Sequence, residues 1–578
     1  MGQAEIRRLP EEADMLGLSH EVFGGTYENL LDHRSMAASQ RVRTARLDFL
    51  AELERIDRPA LNRDSVRLLD STMFVYQAAA AIDRHGYGYA TLGWASPYVI
   101  NPFDGAYTDL VKFLTTLHAI KSRDDAEAWL ARLATMDDEL RAERRRFETD
   151  MAAGAVPSRA ILQRTLEKVR ELTPHNARDH RLVQFFSEAV AQIPAIPEND
   201  IKTLVDRAAT LVGGDIAAEY RALAKTIEAA LPKAREEPGV WRLADGESFY
   251  ADALRLYTTT ELSPAEINKA GEKLVADITK RMDALLLELG QEDGTVGQRM
   301  RVLALEPANV FPDTPEGQTA LIAAIESNIQ WIEPRLSRII ESGPKGKLEI
   351  RHAPQIARDT APSAYYKAAA LDGSRPATYN LNLGSTLEWP VWSLPTLTFH
   401  EAAPGHHIQA GRAREKPNQP VLAYLIANPA FAEGWGVYAE DLADELGAYE
   451  ADKLAKLGYL QSLLFRAARL VVDTGIHARK WSREQAIEYL VDTTGLPRAN
   501  MENEVDRYTV WPGQACSYMT GRETLRRLRD TARQELGAAF DIRTFHEQVL
   551  APGPRPLSVV ENDIYQWLGA GRPQQPAE

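Results

Sequence analysis

Thr398-Phe399-His400-Glu401-Ala402-Ala403-Pro404-Gly405-His406-His407-Ile408-Gln409 decides how this chain is read. Three of its twelve histidines fall within eight residues, and a glutamate follows the first directly. A catalytic zinc takes three protein ligands and leaves a fourth position for water. Its usual helical form is His-Glu-x-x-His, with the two histidines at i and i+4 on one face and the Glu as general base. Here the spacing is broken: His406 and His407 lie six and seven residues after His400. On an unbroken helix i+6 points off the face, and i+7 returns to it about 10 Å further along the axis. Pro404 cannot donate to the carbonyl of His400, and its ring clashes there. Gly405 permits unusual backbone angles. The Pro-Gly pair therefore loops out the surplus turn and lets His406 or His407 return to a metal.

A second stretch follows, Asn428-Pro429-Ala430-Phe431-Ala432-Glu433-Gly434-Trp435-Gly436-Val437-Tyr438-Ala439-Glu440. Glu433 is the candidate third ligand. Glu440, seven residues on, shares its helical face and suits the orientation of a ligating histidine. The glycines at 434 and 436 allow helices to approach closely.

These two stretches resemble a bacterial domain-of-unknown-function family, number 885. That family in turn resembles the all-helical zinc peptidases that include thimet oligopeptidase and angiotensin-converting enzyme. The resemblance implies a mainly α, elongated fold with a small β-hairpin or sheet near the active site. It favours His406 over His407 as second ligand, because the family pattern ends at the first His after Gly. A competing alignment matches His407-Ile408-Gln409 to angiotensin-converting enzyme. Glu433 lies 27 residues after His406, which resembles the spacing in helical zinc peptidases. The implied zinc ligands are His400, His406 and Glu433, with Glu401 as general base.

Two later blocks carry further candidates. In Arg469-Leu470-Val471-Val472-Asp473-Thr474-Gly475-Ile476-His477, Asp473 and His477 are i and i+4 and share a face. The block resembles a family segment, and an Asp-fixed His477 is expected to reach a substrate carbonyl or carboxylate. In Arg507-Tyr508-Thr509-Val510-Trp511-Pro512-Gly513-Gln514-Ala515-Cys516-Ser517-Tyr518, the resemblance implies an oxyanion-stabilising tyrosine. Tyr518 fits best, with Tyr508 as fallback. Arg507 could fork a substrate carboxylate, and Tyr508 and Gln514 join it as substrate-binding candidates.

Outside these blocks the chain reads as helices. The 578 residues, 44 % hydrophobic and 26 % charged, are those of a folded protein too long for one simple core. A net charge of −15 argues against nucleic acid as a partner. One cysteine, Cys516, excludes an internal disulfide. No run reaches the ~20 apolar residues of a membrane span. Without an apolar leader the sequence as it stands reads as cytoplasmic, or as exported if a leader has been removed. Residues 1–240 are expected to form a helical channel wall, 241–345 a helical connection, 346–570 the zinc-binding region and 571–578 a disordered tail. Arg46–Ile56 offers apolar residues at 47, 50, 53 and 56, and the charged run 141–146 reads as a solvated face. Lys347–Arg351 and Ala377–Leu383 alternate as strands, and the edge near Tyr379 is expected to hold an extended peptide through its main chain.

The leading expectation is a zinc metallopeptidase acting on short peptides. Its alternatives are a zinc amidohydrolase acting on a non-peptide amide, and a helical scaffold that binds peptides without turnover.

Overall fold

The computed structural model describes residues 2–173, 175–353, 363–416 and 419–569; the tail expected at 571–578 lies outside them. Among the described residues the fold is mainly α, with five short strands. Among the described residues no helix is long and apolar enough to cross a membrane.

Helix starts follow capping chemistry. Asn62 accepts from Ser65 N–H to open α1 (Arg63–Asp83). Ser122 and Asp125 form a capping box for α2 (Arg123–Ala152), and Ser263 and Glu266 do the same for α4 (Pro264–Glu288). Between them lies α3 (Gly246–Thr258). In α2 the expected face, Leu130, Leu133, Met136 and Leu140, is buried. The charged run beside it is not simply solvated. Arg141 and Arg144 both grip Glu219 on a neighbouring helix, and Glu143 is buried, accepting from Ala106 N–H. The face expected over 46–56 is also only half right. Leu50 and Leu53 are buried but Leu47 and Ile56 are exposed, and Arg46 turns inward to pair with Asp83.

One core runs through residues 31–234, from Leu31 to Ala234. A larger one joins Ala78 and Ile82 of α1 to α3, α4 and the C-terminal helices as far as Tyr565.

A two-residue ladder, β1 (Tyr89–Ala90) with β2 (Ala95–Ser96), stands apart from the main sheet. That sheet has the order β3 (Leu348–His352), β5 (Ala377–Leu381), β4 (Ala364–Lys367). The two strands legible in the sequence, β3 and β5, are parallel neighbours and make no hairpin. A hairpin needs a short turn, and here β4 intervenes in the chain, pairing antiparallel with β5 from its other side. β5 is therefore central and buried throughout. The edge expected near Tyr379 belongs instead to β4.

The second half of the molecule is built on α5 (Ser393–Glu401), α6 (His406–Arg414), α7 (Pro429–Glu445), α8 (Lys453–Ala478), α9 (Arg498–Val510) and α10 (Ser517–Leu536). α4 lies along α8, and α7 crosses α10 where Gly434 meets Gly521. A Cβ on Gly434 would stand 2.5 Å from the Gly521 Cα. Small residues there let the backbones touch.

Candidate metal centre

The break expected from Pro404-Gly405 is where the chain makes it: α5 stops at Glu401 and α6 restarts at His406. Gly405 is required by close approach. A Cβ there would stand 1.8 Å from the His400 carbonyl oxygen and 2.4 Å from that of Phe399.

The detour brings His406 back to His400. Their rings lie 4.7 Å apart at 85°. Glu433 on α7 completes the group: its Oε2 is 3.5 Å from His400 Nε2 and 3.6 Å from His406 Nε2. One donor atom from each of the three lies within 4.8 Å of the others. His407 is not in this group. Its ring faces Tyr366, 5.9 Å away, and its buried Nδ1 has no hydrogen-bond partner.

Glu440 orients His400. Its Oε1 lies 2.9 Å from His400 Nδ1, which turns Nε2 toward Glu433. The other oxygen accepts from Thr396 at 2.5 Å and Ser462 at 2.7 Å, and Arg466 pairs with the same carboxylate at 3.2 Å. Burial alone would raise the Glu440 pKa, but Arg466 and the His400 and Thr396 hydrogen bonds hold it below the usual carboxylate range. Gly436 makes room for the imidazole, since a Cβ there would sit 2.6 Å from the His400 ring. Glu433 is likewise held well below its ordinary value: burial opposes ionisation, and hydrogen bonds from His400 and His406 overcome it.

Glu401 sits behind the group. Burial pushes its carboxyl up to about 7; His406 and the backbone N–H of Tyr366 pull it down, while Glu433 adds to the rise. That N–H also fixes the direction of β4. Asn382 N–H donates to Ser363 O at 2.8 Å, so the alternation of the ladder turns the main-chain groups of Ala364 and Tyr366 away from β5. On that side the Tyr366 N–H meets Glu401, and the Tyr366 ring lies 6.4 Å from that of His406.

The remaining candidates divide. The Tyr518 ring lies 6.4 Å from that of His400, inclined by 21°, with the Arg469 guanidinium 4.6 Å from its centroid. Burial and the charge of Glu433 raise its phenol pKa. Tyr508 is occupied: its hydroxyl donates to Glu504 at 2.7 Å and accepts from Arg469 at 3.0 Å. Arg507 donates to Gln514 at 2.5 Å and to Glu504 at 2.7 Å. Tyr379 is fully buried on the central strand, where burial and the charge of Glu401 push its phenol well up. It cannot present a free edge.

His477 corrects the sequence reading. It is fully buried and accepts from Val240 N–H at 3.2 Å, while its Nε2 donates to Tyr508 O at 3.0 Å. Burial lowers its pKa to about 3. Asp473 does not hold it. That carboxylate accepts instead from Tyr250 and from Gly513 N–H. Both ring nitrogens are spent on backbone, so His477 pins three chain segments and has nothing left for a substrate. Four participants were missed: Arg466, Arg469, Glu504 and strand β4. The i,i+3 spacing of Arg466 and Arg469, and of Glu504 and Arg507, was the available signal.

The family described as a bacterial protein of unknown function, DUF885, matches residues 10–564. The chain belongs to this family. Two solved structures are similar, both described as putative lipoproteins. The one from Colwellia psychrerythraea shares 30 % identity and a TM-score of 0.95, over 98 % of this chain and 97 % of that one. The one from Shewanella oneidensis, of unknown function, shares 17 % identity and a TM-score of 0.68, over 93 % and 94 %; at that identity it speaks for the fold alone. No curated protein sequence matches the chain.

Proposed function

We propose that this member of the DUF885 family is a zinc-dependent metallopeptidase acting on short peptides. One observation carries the reading: His400, His406 and Glu433 converge to within 4.8 Å with His400 braced by Glu440. The donor set fits zinc. Two imidazole nitrogens and a carboxylate oxygen are a catalytic zinc's usual protein ligands, and bonds of about 2 Å in a tetrahedron place ligands roughly 3.3 Å apart. The observed 3.5 and 3.6 Å are close to that. Zinc bound there supplies polarisation of a carbonyl and acidification of a water.

The chain's own residues supply the rest. Glu401 takes a proton from the attacking water at its carboxylate and returns it to the leaving amine. Tyr518, beside His400, donates its phenolic proton as a hydrogen bond to the developing oxyanion. The side of β4 turned away from β5 pairs with an extended peptide through the main-chain groups that Glu401 does not engage, those of Ala364 and the Tyr366 carbonyl, which gives loose side-chain preference. The lipoprotein description of the Colwellia psychrerythraea structure supports an exported protein.

The test is a mixed peptide library incubated with zinc-loaded protein and read by product mass. Products gaining one water at internal amide bonds are expected. An unchanged library from protein with full zinc content would refute the peptidase reading.

A further inference from the structure

Two arginines meet beside the centre with one carboxylate between them. A single oxygen of Glu504 accepts from Arg469 at 2.9 Å, from Arg507 at 2.7 Å and from the Tyr508 hydroxyl at 2.7 Å. Two guanidinium groups and one carboxylate leave an excess of positive charge. Gln514, the other partner of Arg507, is neutral. The field of Arg507 also reaches Asp473, whose carboxyl burial pushes up to about 7. Arg466 is balanced separately by Glu440.

This excess charge is not fully sealed. Arg507 and Glu504 each keep 13 % of their side-chain surface exposed, and Tyr518 beside them is half-buried. The Tyr518 ring separates the charge from the centre, 6.4 Å from the His400 ring and 4.6 Å from the Arg469 guanidinium. Arg469 therefore lies no more than about 11 Å from the imidazole, a gap that an extended chain rising ~3.3–3.6 Å per residue crosses in one to three residues.

We infer that Arg507 and Arg469 form a binding site for the free C-terminal carboxylate of the substrate, so that cleavage releases one to three residues from the C-terminus. The inference rests on the peptidase reading and narrows its substrate class. Guanidinium forks recognise carboxylates in two-point geometry. Glu504 pre-orients both forks, and it leaves one charge for the ligand to neutralise.

Binding tests this separately from turnover. The zinc-loaded Glu401→Gln protein is titrated calorimetrically with N-acetyl-Ala-Ala-Ala and with its C-terminal amide. The acid is expected to bind about tenfold or more tightly than the amide. Arg507→Gln in the same background is expected to erase that preference, and Arg507→Lys to retain part of it. Equal affinities, or no binding of either peptide, would overturn the carboxylate site. So would an acid preference that persists in Arg507→Gln, because the carboxylate would then be held elsewhere. The acid–amide comparison needs no arginine substitution, so it stands even if the arginine variants fold poorly. Failure of the peptidase reading shows instead in the library experiment.

Discussion

His400 and His477 each have an acid close by in the sequence, Glu401 directly after the first and Asp473 four residues before the second, and both are almost wholly buried. They differ in what is left over. Glu440 engages Nδ1 of His400 and leaves Nε2 directed at Glu433 and His406. Val240 N–H and Tyr508 O consume both nitrogens of His477. A histidine becomes a ligand when its second nitrogen meets other donors. When it meets backbone on both sides it fastens the fold.

The contrast can be broken in several places. The largest effect is expected at Glu401. Glu401→Gln keeps the shape and removes the base, so steady-state peptide hydrolysis should fall by roughly 10²–10⁴ while zinc content stays unchanged. Undiminished turnover would remove Glu401 from the chemistry. Next comes Glu440→Gln, which keeps a hydrogen bond to His400 but loses the charge; zinc affinity measured by competition with a chelator should weaken about 10–100-fold. Affinity equal to wild type would mean that Glu440 does not tune His400.

His477→Gln should do the opposite. Two buried backbone groups lose their partner, so stability in urea should drop by about 1–3 kcal/mol, with zinc content intact. Loss of zinc without loss of stability would return His477 to the site. The same histidine also has a signature in pH. His477 is neutral when folded, with a pKa lowered to about 3 against 6.5 when unfolded. Below 6.5 the unfolded state binds the extra proton, so this group's contribution to stability is complete above 6.5 and falls as pH drops from 6.5 toward 3. Urea unfolding across that window should be less steeply pH-dependent in His477→Gln than in wild type. Parallel profiles would contradict a histidine kept neutral by burial.

Legibility in the sequence followed how local each cause was. Pro404 and Gly405 act on their own backbone, so the break between α5 and α6 was readable, and so was the i,i+7 relation of Glu433 and Glu440. The buried stripe of α2 was readable for the same reason. What Glu143 pairs with depends on a neighbouring helix, so the solvated reading of 141–146 failed there. Strand β4 is four residues long and does not alternate, so the open edge was assigned to the better-patterned β5. The sealing of His477 depends on Val240, 237 residues away, and the charge balance around Glu504 depends on Arg469, 35 residues away. The first leaves no mark on local spacing, and of the second only the i,i+3 pair of Glu504 and Arg507 does.

The proposed chemistry stands on a zinc held by His400, His406 and Glu433. Zinc stoichiometry by mass spectrometry of the purified wild type, His406→Ala and His407→Ala tests it most directly. One zinc per chain is predicted for wild type and for His407→Ala, and none for His406→Ala. Zinc retained by His406→Ala and lost from His407→Ala, or absent from fully folded wild type under zinc supply, would contradict it.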